Sequence, residues 1–258
     1  MQLNQQQKQQ LYEDGYLVIP GVVPRLMVEE ARRAINHHLG SAGMPPDDLP
    51  KMSATTYCPG LGSQPVITDL FNRTPLFALC ESAVGEGNLL PAGGGQIALR
   101  FPRATADRVE PKGHIDGRGT GINGIPKGEF RRGFTMLAVI LLSDLPEPYS
   151  GNFTVWPGTH RFFETIFQEQ GPAALAGGID TMELPHAPVQ ITGQAGDVVI
   201  THHQIVHSAA PNCAPNIRYA AIFRGRHKDA EANGTEAMTD IWREWPGIRE
   251  AVEMLAGV

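Results

Sequence analysis

His114 and Asp116, separated only by Ile115, stand far upstream of His207 and Arg218. Together these four side chains could do redox chemistry. Two imidazoles and one carboxylate can cap one face of a ferrous ion and leave the opposite face open, the facial arrangement of non-haem Fe(II) oxygenases. An arginine shortly after the second histidine can grip the far carboxylate of a keto-acid cosubstrate as a two-pronged ion pair. If the four converge, the chain can activate oxygen.

The His-x-Asp tripeptide alone is a weak signal. Its competing reading is a polar turn in which Asp116 caps the glycine-rich loop that follows. On an extended segment, however, residues two apart point to the same side, so both side chains can reach one ion. Six downstream histidines compete for the third position: His160, His186, His202, His203, His207 and His227. His207 is followed by Ser208, Ala209 and Ala210, whose small side chains leave room for a cosubstrate. His202 and His203 read as hydrogen-bonded core residues, His160 as a helix start, His186 as a loop residue and His227 as solvated. Arg218 follows a loop containing Pro211, Asn212 and Pro215, and two antiparallel strands joined by it would set Arg218 beside His207. Burying an arginine without an anion is costly. A dianionic keto acid would supply that anion, whereas an exposed strand-end arginine is the alternative. Arg224 and Arg226 are placed outside the barrel.

The elements that must position these residues are short. Residues 3 to 14 have helix-forming composition ending at Gly15, and a strand runs from Tyr16 to Pro20. Apolar spacing predicts a helix from Pro24 to Gly40. Residues 41 to 66 read as a loop that could act as a lid, and 68 to 84 as a helix restarted at Pro75. From Gln96 the pattern changes to strands: 96 to 101, the apolar run 134 to 142, 151 to 156, 189 to 191, 196 to 200, 205 to 207 and 218 to 223. A helix near 160 to 170 interrupts them. The tail, 238 to 256, is helical, divided at Pro246, and carries Ile241, Trp242, Trp245, Ile248, Val252 and Leu255, which are expected to pack on the chain's own barrel. Short strands with turn signals between them, flanked by helices, predict a mainly β fold, a two-sheet roll with a helical coat.

The length, 258 residues, suits one β-barrel or sandwich domain, and 41 % hydrophobic residues suffice for its core. A helical part (about 1–90), a barrel (about 91–226) and a C-terminal helical segment (about 238–256) would make up that domain. Net charge is −6 with no basic stripe, which argues against nucleic acid as a partner. No apolar stretch has the ~18 residues a membrane span needs. Cys58, Cys80 and Cys213 have no metal-binding or redox spacing, and the polar N-terminus does not look like a secretory leader, so a cytoplasmic setting is expected. Oligomeric state is not encoded in any of these features.

Several segments in order resemble the phytanoyl-CoA dioxygenase family of Fe(II)/2-oxoglutarate-dependent oxygenases: Tyr12–Val23, His114-x-Asp116, Gly151–Arg161, Gly196–Asn212 and Arg218. The resemblance implies a double-stranded β-helix, the jelly-roll or cupin-like barrel. By position it makes His114, Asp116 and His207 iron ligands and Arg218 the partner of the 2-oxoglutarate C5 carboxylate. It also suggests Gln96, and the hydroxyl of Thr135, as cosubstrate contacts; a buried strand residue is the competing reading of Thr135. Many members carry a polar residue two positions past the distal histidine, where this chain has Ala209, so one cosubstrate contact is left unassigned. Fe(II), 2-oxoglutarate and O₂ would be the reactants around a small organic substrate. Halogenating relatives replace the carboxylate ligand with a small residue; the carboxylate at Asp116 therefore favours hydroxylation, desaturation or ring formation. Trp156, Phe134 and Arg118 are candidate substrate-pocket residues, against core roles for the aromatics and an exposed loop role for the arginine. No coenzyme A signature is present. The rival class is a cupin-type protein that binds a metal or small molecule without turnover, in which Arg218 would have no purpose.

Overall fold

In the computed structural model, residues 1–127, 129–175, 177–180 and 182–256 are described. The strands are β1 (Tyr16–Ile19), β2 (Leu89–Leu90), β3 (Gln96–Arg100), β4 (Met136–Leu141), β5 (Phe153–Trp156), β6 (Val189–Gln190), β7 (Val198–His202), β8 (Val206–Ala209) and β9 (Arg218–His227). They form two antiparallel sheets. The larger runs β1-β7-β4-β9-β2 with β3 also paired to β9, and the smaller runs β6-β5-β8. The architecture is a jelly-roll with flanking helices.

The period-2 alternation of strand side chains explains how the sheets are buried on both faces. Met136, Ala138 and Ile140 of β4 face the helices, while Leu137 and Val139 face the opposite sheet beside Phe153 and Val155. Central strand β4 therefore reads as a continuous apolar run although it is antiparallel.

Helices α1 (Gln5–Asp14), α2 (Arg25–Ala42), α3 (Leu49–Ala54), α4 (Pro65–Asn72) and α5 (Pro75–Val84) precede the barrel, and α6 (Thr159–Gln170) lies within it. Leu11, Ile35, Leu70 and Leu79 from this group pack against the outer face of the large sheet. The predicted helix over 68 to 84 is two helices, each started by a proline, which lacks the amide hydrogen that a first-turn residue would leave unpaired.

The tail forms α7 (Ala230–Asn233), α8 (Glu236–Thr239) and α9 (Pro246–Ala256). Ile241, Trp242, Trp245 and Ile248 are buried in the same core, as expected, and Trp242 stacks on Tyr12 with ring centroids 4.9 Å apart. The side chain of Leu255 lies outside the described residues. Buried Arg132 pairs with buried Glu244, which also accepts hydrogen bonds from the Thr135 hydroxyl and from Asn233 Nδ2. Removing one partner would strand the other charge in the core. Glu244→Ala should therefore destabilise the protein by about 3–5 kcal/mol, read as a lowered midpoint in urea. A loss below about 1 kcal/mol would show that the pair does not tie the tail down.

Candidate metal centre

His114 and His207 are joined by two backbone hydrogen bonds of 2.9 Å, each residue's N–H donating to the other's carbonyl. This isolated bridge pins the His-x-Asp segment to β8. The segment is otherwise a loop and turn, not the strand end anticipated from the sequence. Its side chains still converge because Ile115 between them is buried in an apolar cluster with Val206 and Phe163. Gly113 permits the close approach, since a Cβ there would lie 2.4 Å from Val206 Cγ1.

His114 Nε2 lies 3.4 Å, and His207 Nε2 3.8 Å, from Asp116 Oδ1. Three donors bound to one ion at about 2.1 Å lie roughly 3 Å apart, so the set could close on an ion with small movements. Among the described residues this is the one His/Cys/Asp/Glu group with such spacing. His207 Nδ1 is 3.1 Å from the Ile205 carbonyl. A proton on Nδ1 donates there and leaves the Nε2 lone pair facing Asp116. Burial, then the neighbouring His114, push the His207 imidazole down to about 4, so it is neutral at physiological pH. Burial by itself would raise Asp116. The His114 hydrogen bond, the imidazole of His207 beside it and the Arg224 guanidinium outweigh that and hold it well below the usual carboxylate range.

Arg224 is the residue the sequence reading misplaced. Its Nη2 donates to Asp116 Oδ2 at 3.1 Å and its Nη1 to Gln96 Oε1 at 3.0 Å, and its guanidinium lies 5.6 Å from the Phe134 ring centre. Strand β9 continues to His227, beyond the predicted end at 223, and the inward face defined by Arg218, Ala220 and Ile222 therefore includes Arg224. The signal was the alternation itself. The result is a carboxylate with Oδ2 held by Arg224 and Oδ1 turned to the two imidazoles. Arg224→Gln should lower divalent-metal affinity by about 10–100-fold, as loss of a residue that orients a ligand does. Its own charge repels a cation, but the side chain is 44 % exposed and that repulsion is screened, so the orienting effect dominates. Anaerobic Fe(II) titration measures it; affinity equal to or above wild type would show that Arg224 does not orient Asp116.

A cavity of about 670 Å³ opens over these groups. Arg218 lines its inner end and is only 4 % exposed. Its Nε donates to the Gly151 carbonyl at 2.6 Å and its Nη1 to the Ala98 carbonyl at 3.0 Å, and no carboxylate among the described residues lies within ion-pair distance. Burial, then the adjacent Arg100, push its pKa down to about 9. Phe134, Leu137, Phe153 and Ile222 supply apolar wall, Ala209 borders the same space, and both anticipated loops contribute, through Thr55 and through Arg118 and Ile122. Leu175 and Ile179 also line it, from a stretch that carries no site motif.

Three further expectations fail. Thr135 is fully buried and points away from the cavity: its hydroxyl donates to Glu244 and accepts the His227 amide at 2.9 Å. Both residues precede β4, and the alternation that turns Leu137 and Val139 inward does not extend to them: Phe134 faces the cavity and Thr135 does not. Trp156 does not line the cavity either. It faces the outside of the small sheet and packs with Ile115, Phe163 and Val206, because Phe153 and Val155 take the inner face of β5. Gln96 is on the cavity wall, but its carbonyl oxygen is taken by Arg224. His227, expected in solvent, is buried on β9. His202 and His203 are buried in the core, His202 Nε2 lying 3.0 Å from the Ile241 carbonyl.

No family model matches the chain, and neither does any curated protein. Solved structures do. It is similar to the non-heme alpha-ketoglutarate-dependent carbocyclase SnoK from nogalamycin biosynthesis, with 19 % identity, 90 % of each chain covered and a TM-score of 0.60. HygX from Streptomyces hygroscopicus, solved with nickel and 2-oxoglutarate bound, gives 18 % identity, 88 % of each chain and 0.55. EctD from S. alaskensis in its apoform gives 16 % identity over 87 % of this chain and 77 % of its own, with 0.54. At these identities the likeness establishes a shared fold. The site has to be argued from its own side chains.

Proposed function

We propose that this protein is a non-haem Fe(II), 2-oxoglutarate-dependent oxygenase acting on a small organic molecule. One observation carries the reading: a two-histidine, one-carboxylate set and a buried arginine without an acidic partner among the described residues border one cavity. The donors suit ferrous iron, and the arginine suits the distal carboxylate of the keto acid. Bound iron would supply oxygen activation coupled to decarboxylation of the keto acid to succinate. His114, Asp116 and His207 would hold the ion on one face and leave the cavity side free. Arg218 would fix the cosubstrate, with its guanidinium plane already set by two carbonyls. Phe134, Leu137 and Phe153 would keep bulk water from the reacting atoms, and Arg118, exposed on the cavity rim, would meet a polar substrate group.

The motif order supports a place near the phytanoyl-CoA dioxygenases, without a coenzyme A thioester as substrate. The neighbours of similar fold include a carbocyclase and an epimerase, so the reaction is proposed as oxidation of a C–H bond by hydroxylation, desaturation or ring formation. Three free thiols support a cytoplasmic setting, and no helix among the described residues is long and apolar enough to cross a membrane.

A substrate screen read by oxygen uptake and succinate release tests the proposal. Both signals should require Fe(II) and 2-oxoglutarate together. Turnover that persists with Zn(II) and without keto acid would point to a hydrolase or isomerase on the same barrel. Binding of metal and keto acid with no oxygen uptake across the screen would favour a cupin-type binding protein.

A further inference from the structure

Arg100 is the directly paired residue opposite Arg218 in the β3–β9 register, so the two side chains leave the sheet on the same face. Both line the cavity. Like charges opposite each other on neighbouring strands destabilise a sheet. Here the pair is also withdrawn from water: burial lowers the pKa of each guanidinium. Among the described residues neither has a carboxylate within ion-pair distance. Gly151, at φ +77°, makes the arrangement sterically feasible, because a Cβ there would lie 3.0 Å from the Cβ atoms of both arginines. Arg218 spends Nε and Nη1 on the Gly151 and Ala98 carbonyls, and Arg100 spends Nη1 on the Leu99 carbonyl at 3.1 Å. The Nη2 groups of both make no hydrogen bond within the described residues. One buried and one half-buried cation, with free donors on one wall, call for an anion between them.

We infer that Arg100 and Arg218 form a two-armed carboxylate subsite, with Arg100 a positioning residue for the distal carboxylate of a dicarboxylic keto acid. This rests on the proposed function and deepens it. The methyl group of Ala209 offers no hydrogen bond on the facing sheet, and the second arm comes instead from β3. Selectivity for a diacid over a keto acid without a distal carboxylate follows, because only the diacid neutralises the pair.

The test is binding calorimetry on Ni(II)-loaded protein, nickel being chosen because it does not activate oxygen, comparing 2-oxoglutarate with pyruvate in wild type and in Arg100→Gln. The variant should lose roughly tenfold or more in 2-oxoglutarate affinity, the scale of one charge-assisted hydrogen bond, with pyruvate affinity unchanged. A smaller loss for 2-oxoglutarate, or an equal loss for both ligands, overturns the two-armed subsite. Arg100→Lys, which keeps the charge without the planar fork, should recover part of the loss; no recovery would also count against it. Wild-type protein that binds neither keto acid overturns the functional reading itself. Wild type and Arg100→Gln that both bind 2-oxoglutarate equally overturn only the subsite.

Discussion

Asp116→Ala should cost more than any other single substitution in this chain: more than about 100-fold in Fe(II) affinity, beyond the 10–100-fold that removing an orienting neighbour costs, and all coupled turnover. The substitution removes the anionic ligand and leaves two imidazoles facing an arginine whose partner has gone. Arg224, formerly neutralised by Asp116, then repels the cation. Asp116→Asn keeps the shape but not the charge and should fall in the same direction. The fold should survive both, since Arg224 is 44 % exposed and water can solvate it once its partner is lost. Anaerobic metal titration alongside a thermal melt separates site from fold. Wild-type metal affinity in Asp116→Ala would remove the carboxylate from the proposed ligand set.

Arg218→Met should have the second-largest effect, and on a different ligand. Metal affinity should hold while 2-oxoglutarate binding weakens by about 2–5 kcal/mol, the usual cost of truncating one partner of a buried charge pair. The stability change should be smaller. Losing donors to the Gly151 and Ala98 carbonyls is unfavourable, but removing a buried cation that faces Arg100 is favourable, and the two oppose each other. Arg218→Lys should not rescue binding, because a single ammonium cannot hold two carbonyls and still present a fork to the ligand. Binding calorimetry with the nickel-loaded protein measures the loss. Unchanged 2-oxoglutarate affinity would place the carboxylate elsewhere.

Much of the fold was legible because its signals are local. Gly15, at φ +77°, ends the first helix where the sequence placed the end, and Pro75 and Pro246 start helices where expected. The apolar run around β4 could be read as a central strand. The gathering of His114, Asp116, His207 and Arg218 around one cavity follows the motif order, but the pairing of the 207 and 218 strands expected from their spacing does not form: β8 lies in the small sheet and β9 in the large one, facing each other across the cavity. The geometry of the His-x-Asp tripeptide depends on a two-bond bridge to His207, a contact between residues distant along the chain. Trp156 is one residue out of phase with the inward face of β5, whereas Thr135 precedes β4, where the strand's alternation no longer holds and its hydroxyl goes to Glu244. Arg224 lies just past residue 223, the expected end of the strand, and counting by twos from Arg218 reaches it. Arg100 stands four residues from Gln96 on β3 and shares its face. Its significance required knowing that it pairs with Arg218, and strand register across 118 residues of sequence is a tertiary fact.

The central claim is that one ferrous ion and one diacid sit together between these side chains. Crystals grown anaerobically with Fe(II) and 2-oxoglutarate, with anomalous scattering recorded at the iron edge, test it most directly. A single peak between His114 Nε2, Asp116 Oδ1 and His207 Nε2, with the far carboxylate of the diacid on the Arg218 guanidinium, is the expected map. Iron at any other position, or a carboxylate turned away from Arg218, would contradict it.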